Sequence, residues 1–261
     1  MKTTRLDVFL TQSGLASSRE RARRLINEGK VSVDGNSKVK PSLLVSGSEN
    51  IALENEKYVG RGAYKLLGAF DAFNIDVSGR ICADIGASTG GFTQVLLEKG
   101  AKMVYAVDVG HGQLAEELLK DNRVINCEGI NARNISKDFF EIKPEFVCCD
   151  VSFISLKSVL PAVASAAEEN AELVTLIKPQ FEQSKPARNK NGIVKDKNIH
   201  VRIVEDMAEF FLSSGLALKG LAPSPILGGD GNREYLAYLK KSGVSSAQID
   251  FKSVVNRAFE Q

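Results

Sequence analysis

From residue 81 onward the chain alternates short apolar runs with stretches of helical spacing. The runs are Ile81-Cys-Ala-Asp-Ile85, Met103-Val-Tyr-Ala-Val107, Val124-Ile125, Phe146-Val-Cys-Cys149, Leu173-Val-Thr-Leu-Ile177 and Tyr235-Leu-Ala-Tyr-Leu239. Consecutive apolar residues, rather than every second one, suit strands buried on both faces. Between the first two runs, residues 93–99 carry a helical pattern and Gly100 is a natural stop. A polar helix is predicted over 113–121, and another begins after Leu156. Strand and helix in repeated alternation predict an α/β domain, a mostly parallel sheet with helices on both faces. The tail from residue 245 reads as a short amphipathic helix, with Ile249, Phe251, Val254, Val255 and Phe259 available for packing.

The first 55 residues follow a different rhythm. Leu6, Val8, Phe9 and Leu10 cluster in a first helix stopped by Gly14, and Ser17-Ser18 can cap a second that ends at Gly29. Val31-Ser-Val-Asp-Gly35 alternates and then turns, and Lys38-Val-Lys-Pro41 and Glu49-Asn-Ile-Ala-Leu53 read as further short strands. The expected organisation is therefore a small α+β domain over residues 1–55, a linker over 56–59 and a larger domain over 60–261. A helix with Leu66, Leu67, Phe70 and Phe73 on its apolar side opens the larger domain.

Composition changes this picture little. The chain has 261 residues and a formal net charge of +2, so any nucleic-acid surface must be a local patch. One patch stands out: Arg5, Arg19, Arg21, Arg23, Arg24, Lys30, Lys38 and Lys40 crowd the small domain, against Asp7, Glu20, Glu28 and Asp34. Charge alone leaves a solvated helix face as good a reading. The four cysteines, Cys82, Cys127, Cys148 and Cys149, have no metal-ligand spacing, and with only two histidines no metal site is expected. No apolar run is long enough to span a membrane and no secretory segment starts at Met1, so a cytoplasmic protein without membrane attachment is expected. The sequence carries no signature of oligomeric state.

The chemistry concentrates after the first strand of the larger domain. The turn reads Asp84-Ile-Gly86-Ala-Ser88-Thr89-Gly90-Gly91-Phe92, and Asp108 closes the next strand about twenty residues beyond Gly86. This is the layout of a nucleoside-binding βαβ unit whose second acidic residue accepts from ribose hydroxyls. A dinucleotide fingerprint would place a glycine where Ser88 stands, and Asp84 is a poor neighbour for pyrophosphate but suits a cationic amino group. The pattern D-x-G-x-x-x-G-G-F resembles the first motif of S-adenosylmethionine-dependent methyltransferases. Asn131 follows the third strand, Asp150 ends the fourth, Lys178 ends the fifth, and Glu234 precedes the late strand. Lys65 lies in the first turns of the opening helix. Each is unremarkable alone, but two lysines and two carboxylates converging on one crevice are hard to explain as solvated charge.

The spacing of Lys65, Asp150, Lys178 and Glu234 resembles the catalytic tetrad of FtsJ-like ribose 2'-O-methyltransferases. The arginine-rich helix followed by Gly-x-Val-x-Val-Asp-Gly resembles the small RNA-binding domain of the ribosomal protein S-four type. Together with Gly60-Arg-Gly-Ala-Tyr-Lys65, Asp150-Val-Ser-Phe-Ile-Ser155, Lys178-Pro-Gln-Phe-Glu182 and Arg233-Glu-Tyr235, these segments make nearly the whole chain similar to the TlyA family, bacterial rRNA methyltransferases often labelled haemolysins. Ala63-Tyr64 departs from the Gly-His common in relatives and leaves the tetrad intact.

The resemblance implies a Rossmann-like methyltransferase sheet behind the RNA-binding domain, with S-adenosylmethionine as cofactor and ribosomal RNA or a ribosomal subunit as partner. It implies cofactor contacts from Asp84, Gly86, Ser88, Thr89, Gly90, Gly91, Phe92, Asp108, Asn131 and Asp150. Catalysis falls to Lys65, Asp150, Lys178 and Glu234. RNA contacts fall to the basic residues of the small domain and to Arg61, because a guanidinium fork grips phosphate oxygens. The reaction is methylation of a ribose 2'-hydroxyl, of cytidine by family resemblance. A ribose hydroxyl holds its proton far too tightly to ionise at neutral pH, so the oxygen must be positioned and its proton removed. Desolvation and a second cation suit a lysine at position 178 to act as base, whereas a carboxylate beside it would hold it charged; the residues leave both open. The lysine-rich segment 182–198 reads as an exposed loop that could close over RNA. A non-catalytic RNA-binding assembly factor and a membrane-active haemolysin are the competing readings. The first has no need of the complete tetrad, and the second lacks any membrane-active segment.

Overall fold

The computed structural model describes all residues except 1–2, 17, 54–56, 183–188, 190–191, 229–230, 242–246 and 261. The chain divides into two compact units, Met1–Lys57 and Tyr58–Gln261. Ser17, the start of the linker and residues 183–188 and 190–191 of the lysine-rich segment lie outside the described residues.

In the first unit, β1 (Thr4–Arg5) leads into α1 (Leu6–Gln12), followed by α2 (Arg19–Asn27), β2 (Val31–Val33), β3 (Leu44–Val45) and β4 (Ile51–Leu53). Ser18 caps α2 by accepting from the Arg21 amide. Leu6, Leu10, Ala22, Leu25, Ile26, Val31 and Val45 form its core. β1 pairs with β3 and β2 with β4, both antiparallel. The strand expected at Lys38–Pro41 is absent. There the Lys38 amide donates to the Asn36 side chain and Leu43 closes a turn onto the Lys40 carbonyl. The strand begins only at Leu44, past Pro41, which has no amide to give a ladder.

The second unit begins with Tyr58 and Val59: Tyr58 is buried with its hydroxyl on Glu98, and the Val59 amide donates to the Gln94 side chain. Its elements are α3 (Ala63–Phe73), β5 (Ile81–Ile85), α4 (Gly91–Glu98), β6 (Met103–Asp108), α5 (Glu116–Leu119), β7 (Val124–Glu128), β8 (Phe146–Cys149), α6 (Leu160–Ala166), β9 (Glu172–Ile177), α7 (Pro179–Glu182), α8 (Lys197–Ser213), β10 (Leu216–Pro223), β11 (Tyr235–Lys241) and α9 (Phe251–Glu260). The strands form one seven-stranded sheet in the order β10-β11-β9-β8-β5-β6-β7. From β9 through β7 the neighbours are parallel, while β11 runs antiparallel to both β9 and β10.

Alternate strand residues feed two cores. Cys82, Val104, Phe146, Cys148 and Val174 pack with Leu66, Phe70, Val95 and Leu96 of α3 and α4. Ala83, Tyr105, Val147, Leu173 and Ala237 face the opposite core, with Leu160, Ile203, Met207, Phe211 and Val255 of α6, α8 and α9. Cys82, Cys148 and Cys149 are fully interior, and burial pushes the Cys82 and Cys149 thiols up to about 12; Cys127 is half-buried. Two elements, α8 and β10, lie outside the predicted set, and α5 is a single turn where a longer helix was predicted. Strand β10 carries Gly220 at a register shift, where a side chain would collide with Phe73. That glycine, with Pro223, removes the apolar run by which the other strands announce themselves.

Candidate active site

The sheet reverses its direction of growth between β5 and β8, and the crevice outside the carboxyl ends of such strands is where this architecture binds ligands. A crevice of about 550 Å³ opens there, lined by Gly86, Ser88, Asp108, Asn131 and Asp150, and by Gln113, Arg133, Ser152 and Phe153 among others. The turn after β5 needs its glycines. Gly86 has φ 87° and a side chain there would strike the Asp150 carbonyl, while Gly90 at φ 94° caps α4 against Leu114 and Leu118. Gly60 and Gly62 pack onto this turn, so closely that a side chain at Gly60 would meet the Thr89 hydroxyl. That contact sets the position of α3, whose Lys65 reaches Asp150 of the crevice wall.

The acidic residues of the predicted cofactor set divide by role. Asp108 uses Oδ2 to accept from the Ser88 amide at 2.8 Å and Oδ1 to accept from the Gly110 amide at 2.7 Å, and still lines the crevice. Asn131 lines it too, its Oδ1 accepting from the Arg133 amide at 3.1 Å. Asp84 stands behind the turn, fully buried, with Oδ2 accepting from the amide and hydroxyl of Thr93 at 2.9 and 2.8 Å. Its Oδ1 has no partner. Burial pushes this carboxyl up to about 7, against the hydrogen bonds from Thr93. Thr89, Gly90, Gly91 and Phe92 shape the turn and do not line the crevice.

At the Asp150 end, four charges alternate. Glu234 Oε2 lies 2.7 Å from Lys65 Nζ, which lies 3.2 Å from Asp150 Oδ2; Asp150 Oδ1 lies 2.6 Å from Lys178 Nζ. Lys65, Lys178 and Glu234 are each less than a tenth exposed. Burial disfavours the Lys65 ammonium, but Asp150 and Glu234 outweigh it and hold its pKa above the ordinary lysine value. Burial likewise opposes the Asp150 carboxylate, and the two lysines outweigh it and hold Asp150 below the ordinary range. Glu234 therefore meets Lys65.

Three residues without an assigned role in the sequence also meet here. Ser152 Oγ accepts from Lys178 Nζ at 2.8 Å. Phe153 is 91% exposed at φ 64°, its ring 5.3 Å from that of Phe181. A bulky residue in the left-handed region is strained, and an exposed aromatic gains nothing from the core that would offset the strain. Glu182 accepts from the Ser155 hydroxyl and the Leu156 amide at 2.5 and 2.8 Å, tying the Phe153 loop to α7. All three stand inside the quoted motifs, but a backbone angle and a hydrogen-bond partner leave no mark on composition.

Of the basic residues, Arg19, Arg23, Lys38 and Lys40 are exposed, and Arg5, Arg21, Arg24 and Lys30 are half-buried. Arg5 and Arg19 both bind Asp7, at 3.0 and 3.1 Å, and Lys30 lies 3.2 Å from Glu28. In the second unit, Arg61 donates to the Leu227 carbonyl.

The sheet order with its one reversed strand, the glycine turn and the acidic end of β6 together define a Rossmann-like, nucleoside-binding methyltransferase fold. Comparison with known proteins narrows this. The family model of FtsJ-like methyltransferase matches residues 58–241, and that of the S4 domain matches residues 4–51. The 16S/23S rRNA (cytidine-2'-O)-methyltransferase TlyA of Mycobacterium tuberculosis is 43% identical over 92% of this chain and 90% of its own length. Hemolysin A of Brachyspira hyodysenteriae is 41% identical over 90% of this chain and 98% of its own. A hemolysin-designated structure from Streptococcus thermophilus, 41% identical, superposes with a TM-score of 0.81 over 100% of this chain and 97% of its own. The chain belongs to the TlyA family of FtsJ-like methyltransferases. No helix among the described residues is long and apolar enough to cross a membrane.

Proposed function

We propose that this protein transfers the methyl group of S-adenosylmethionine to the ribose 2'-hydroxyl of a cytidine in ribosomal RNA. The observation that carries the reading is the buried alternation Glu234–Lys65–Asp150–Lys178 at the end of the crevice. The cofactor fits the residues present. The orphaned Asp84 Oδ1 offers a buried acceptor to its ammonium, directly or through water. Asp108 offers its remaining lone pairs to ribose hydroxyls, and Asn131 its amide to the adenine edge. Gly86 and Ser88 line the crevice where the amino-acid portion would approach, on a turn whose shape Gly90 and Gly91 allow. Bound there, the cofactor supplies a methyl group already activated on a sulfonium.

The chain must place the ribose oxygen in line and accept its proton. The two lysines are unequally held for this. Lys65 is gripped by two carboxylates and stays an ammonium, a donor that orients the incoming oxygen. Lys178 shares one carboxylate and otherwise meets a neutral hydroxyl, so it is the lysine that can release its proton and act as base. Phe153, held strained at the rim, is a platform for a base turned out of its stack. The S4 domain, residues 1–55 in this reading, positions the RNA through its arginines without reading sequence; residues 60–261 carry out the methylation. A cytoplasmic site of action follows from the substrate.

The test is transfer of labelled methyl to purified unmodified ribosomal subunits and to naked rRNA, with Lys178→Ala beside the wild type. Label on a cytidine ribose is expected, falling by ~10²–10⁴ in Lys178→Ala. No label on any substrate, from protein that binds the cofactor, would leave the non-catalytic assembly factor as the better reading.

A further inference from the structure

Lys178 can act as a base only as a neutral amine, and a neutral amine has a single lone pair. Its nitrogen is tetrahedral: one direction is the bond to Cε, two are N–H bonds and one is the lone pair. Two fixed partners stand against the nitrogen of a neutral Lys178, one in ion-pair contact and one in hydrogen-bond geometry. Asp150 Oδ1 lies 2.6 Å away, and its carboxylate, held ionised, can only accept. Ser152 Oγ lies 2.8 Å away in a geometry in which Lys178 donates, and Ser152 is exposed, so its own proton can point to solvent. With one N–H given to Ser152 and the side toward Asp150 closed to a lone pair by the carboxylate's own negative charge, the remaining direction belongs to the lone pair.

We propose that Ser152 is the positioning residue that aims the Lys178 lone pair at the ribose hydroxyl. The inference rests on the reading of Lys178 as the base. Without Ser152 the second N–H has no assigned acceptor, and the lone pair divides its time between two directions, of which one is productive. Asp150 alone cannot fix the choice, because a single ion-pair contact does not orient the amine about its own axis. The proton follows the same frame. It passes from the ribose oxygen to the lone pair, leaves an ammonium with three N–H bonds, and places no new demand on Ser152, which accepts before and after the step. The backbone helps hold the hydroxyl in place: Glu182 anchors Ser155 and Leu156, immediately beyond Ser152 and Phe153.

The experiment compares wild type, Ser152→Ala and Ser152→Thr for methyl transfer to ribosomal RNA as a function of pH, with cofactor affinity measured by calorimetry. The titratable and charged groups around the amine are Asp150, the Cys149 thiol of β8 and, beyond Asp150, Lys65 on α3 and Glu234 before β11, and all are unchanged in these variants. Ser152→Ala is expected to lower kcat by about two- to tenfold, from the halved occupancy of the productive direction up to the scale of one neutral hydrogen bond, with cofactor affinity and RNA KM unchanged. Its acid limb should move to lower pH, because the lost acceptor stabilised the ammonium more than the amine. Ser152→Thr, which keeps the oxygen, should restore both. Wild-type kcat in Ser152→Ala would overturn the proposal. So would a lower kcat with an unmoved acid limb, or one that threonine does not restore, since a loop-shape effect gives either. Lys178→Ala run alongside separates the layers: full activity there defeats the base assignment itself, whatever Ser152 does.

Discussion

Asp7 in the first unit and Asp84 in the second are both completely buried, yet their carboxyls lie on opposite sides of the ordinary range. Hydrogen bonds from Arg5, together with Arg19, hold Asp7 down at about 2 despite its burial. Asp84 has no cation against it; burial dominates, Thr93 compensates in part, and the carboxyl sits at about 7. Burial alone therefore does not predict the state of these groups; the partner does. The first unit closes its buried charge with its own arginines, whereas the second leaves one buried carboxylate oxygen without a hydrogen-bond partner behind the glycine turn. Asp150 completes the series. It is a buried aspartate between two lysines, paired like Asp7, but it also lines the crevice.

The largest effect should come from breaking that third arrangement. Asp150→Ala leaves Lys65 and Lys178 buried without the anion they share. Removing one member of a buried ion pair costs about 3–5 kcal/mol, so denaturant unfolding should show a loss of that order, with methyl transfer abolished. Wild-type stability in Asp150→Ala would mean that the lysines are not charged in the resting protein, and the likeness to Asp7 would fail.

Next in size is the pH dependence set by Asp84. Its folded value, about 7, lies above the ordinary 3.8. The folded protein therefore binds an extra proton between those values, and the ligand-free second unit should lose stability as pH rises from about 4 to about 7. A cationic amino group needs the ionised carboxylate, so cofactor affinity should rise by about tenfold per pH unit below about 7. It should level off above, until the ligand's own α-amino group loses its charge near ~7.7–8.0. Calorimetry across this range checks the slope. Asp84→Asn should bind more weakly with no such slope, and a slope that survives in Asp84→Asn would remove Asp84 from cofactor recognition.

These contrasts mark what the sequence could reveal. Strands β5, β6, β8, β9 and β11 were legible because each is buried on both faces and reads as an apolar run. Helix α8 also carries a signal, Ile203, Val204, Met207 and Phe211 at helical spacing, but it follows a lysine-rich stretch that draws attention to charge. Lys65, Asp150, Lys178 and Glu234 could be named because each stands at an element end in a recognisable segment. Which carboxylate meets which lysine could not, since that depends on side-chain reach across β8, β9 and β11. Nor could the difference between Asp7 and Asp84: both are single acids near apolar residues, and only the fold brings arginines to one and none to the other. Ser152 and Phe153 were visible as letters, but their roles rest on one hydrogen bond and one backbone angle.

The smallest effect separates two arginines of the first unit that look alike in the sequence. Arg5 holds Asp7 through two hydrogen bonds, whereas Arg23 is exposed. Because the folded Asp7 carboxyl is depressed to about 2, its stabilising contribution is complete above its unfolded value of 3.8 and is lost as pH falls through about 2. Arg5→Ala leaves Arg19 as the remaining cation, so the acid unfolding of this unit should begin at higher pH, as followed by circular dichroism of the full chain. Arg23→Ala should leave that titration unchanged and act on RNA instead. Losing one phosphate contact weakens binding to all sequences alike and reduces the slope of log affinity against log salt by about 1. If Arg23→Ala shifted the acid transition and Arg5→Ala left it in place, the division between structural and RNA-facing arginines would be reversed. If neither changed the salt slope, the phosphate contacts would have to come from Lys38, Lys40 and the remaining arginines of α2.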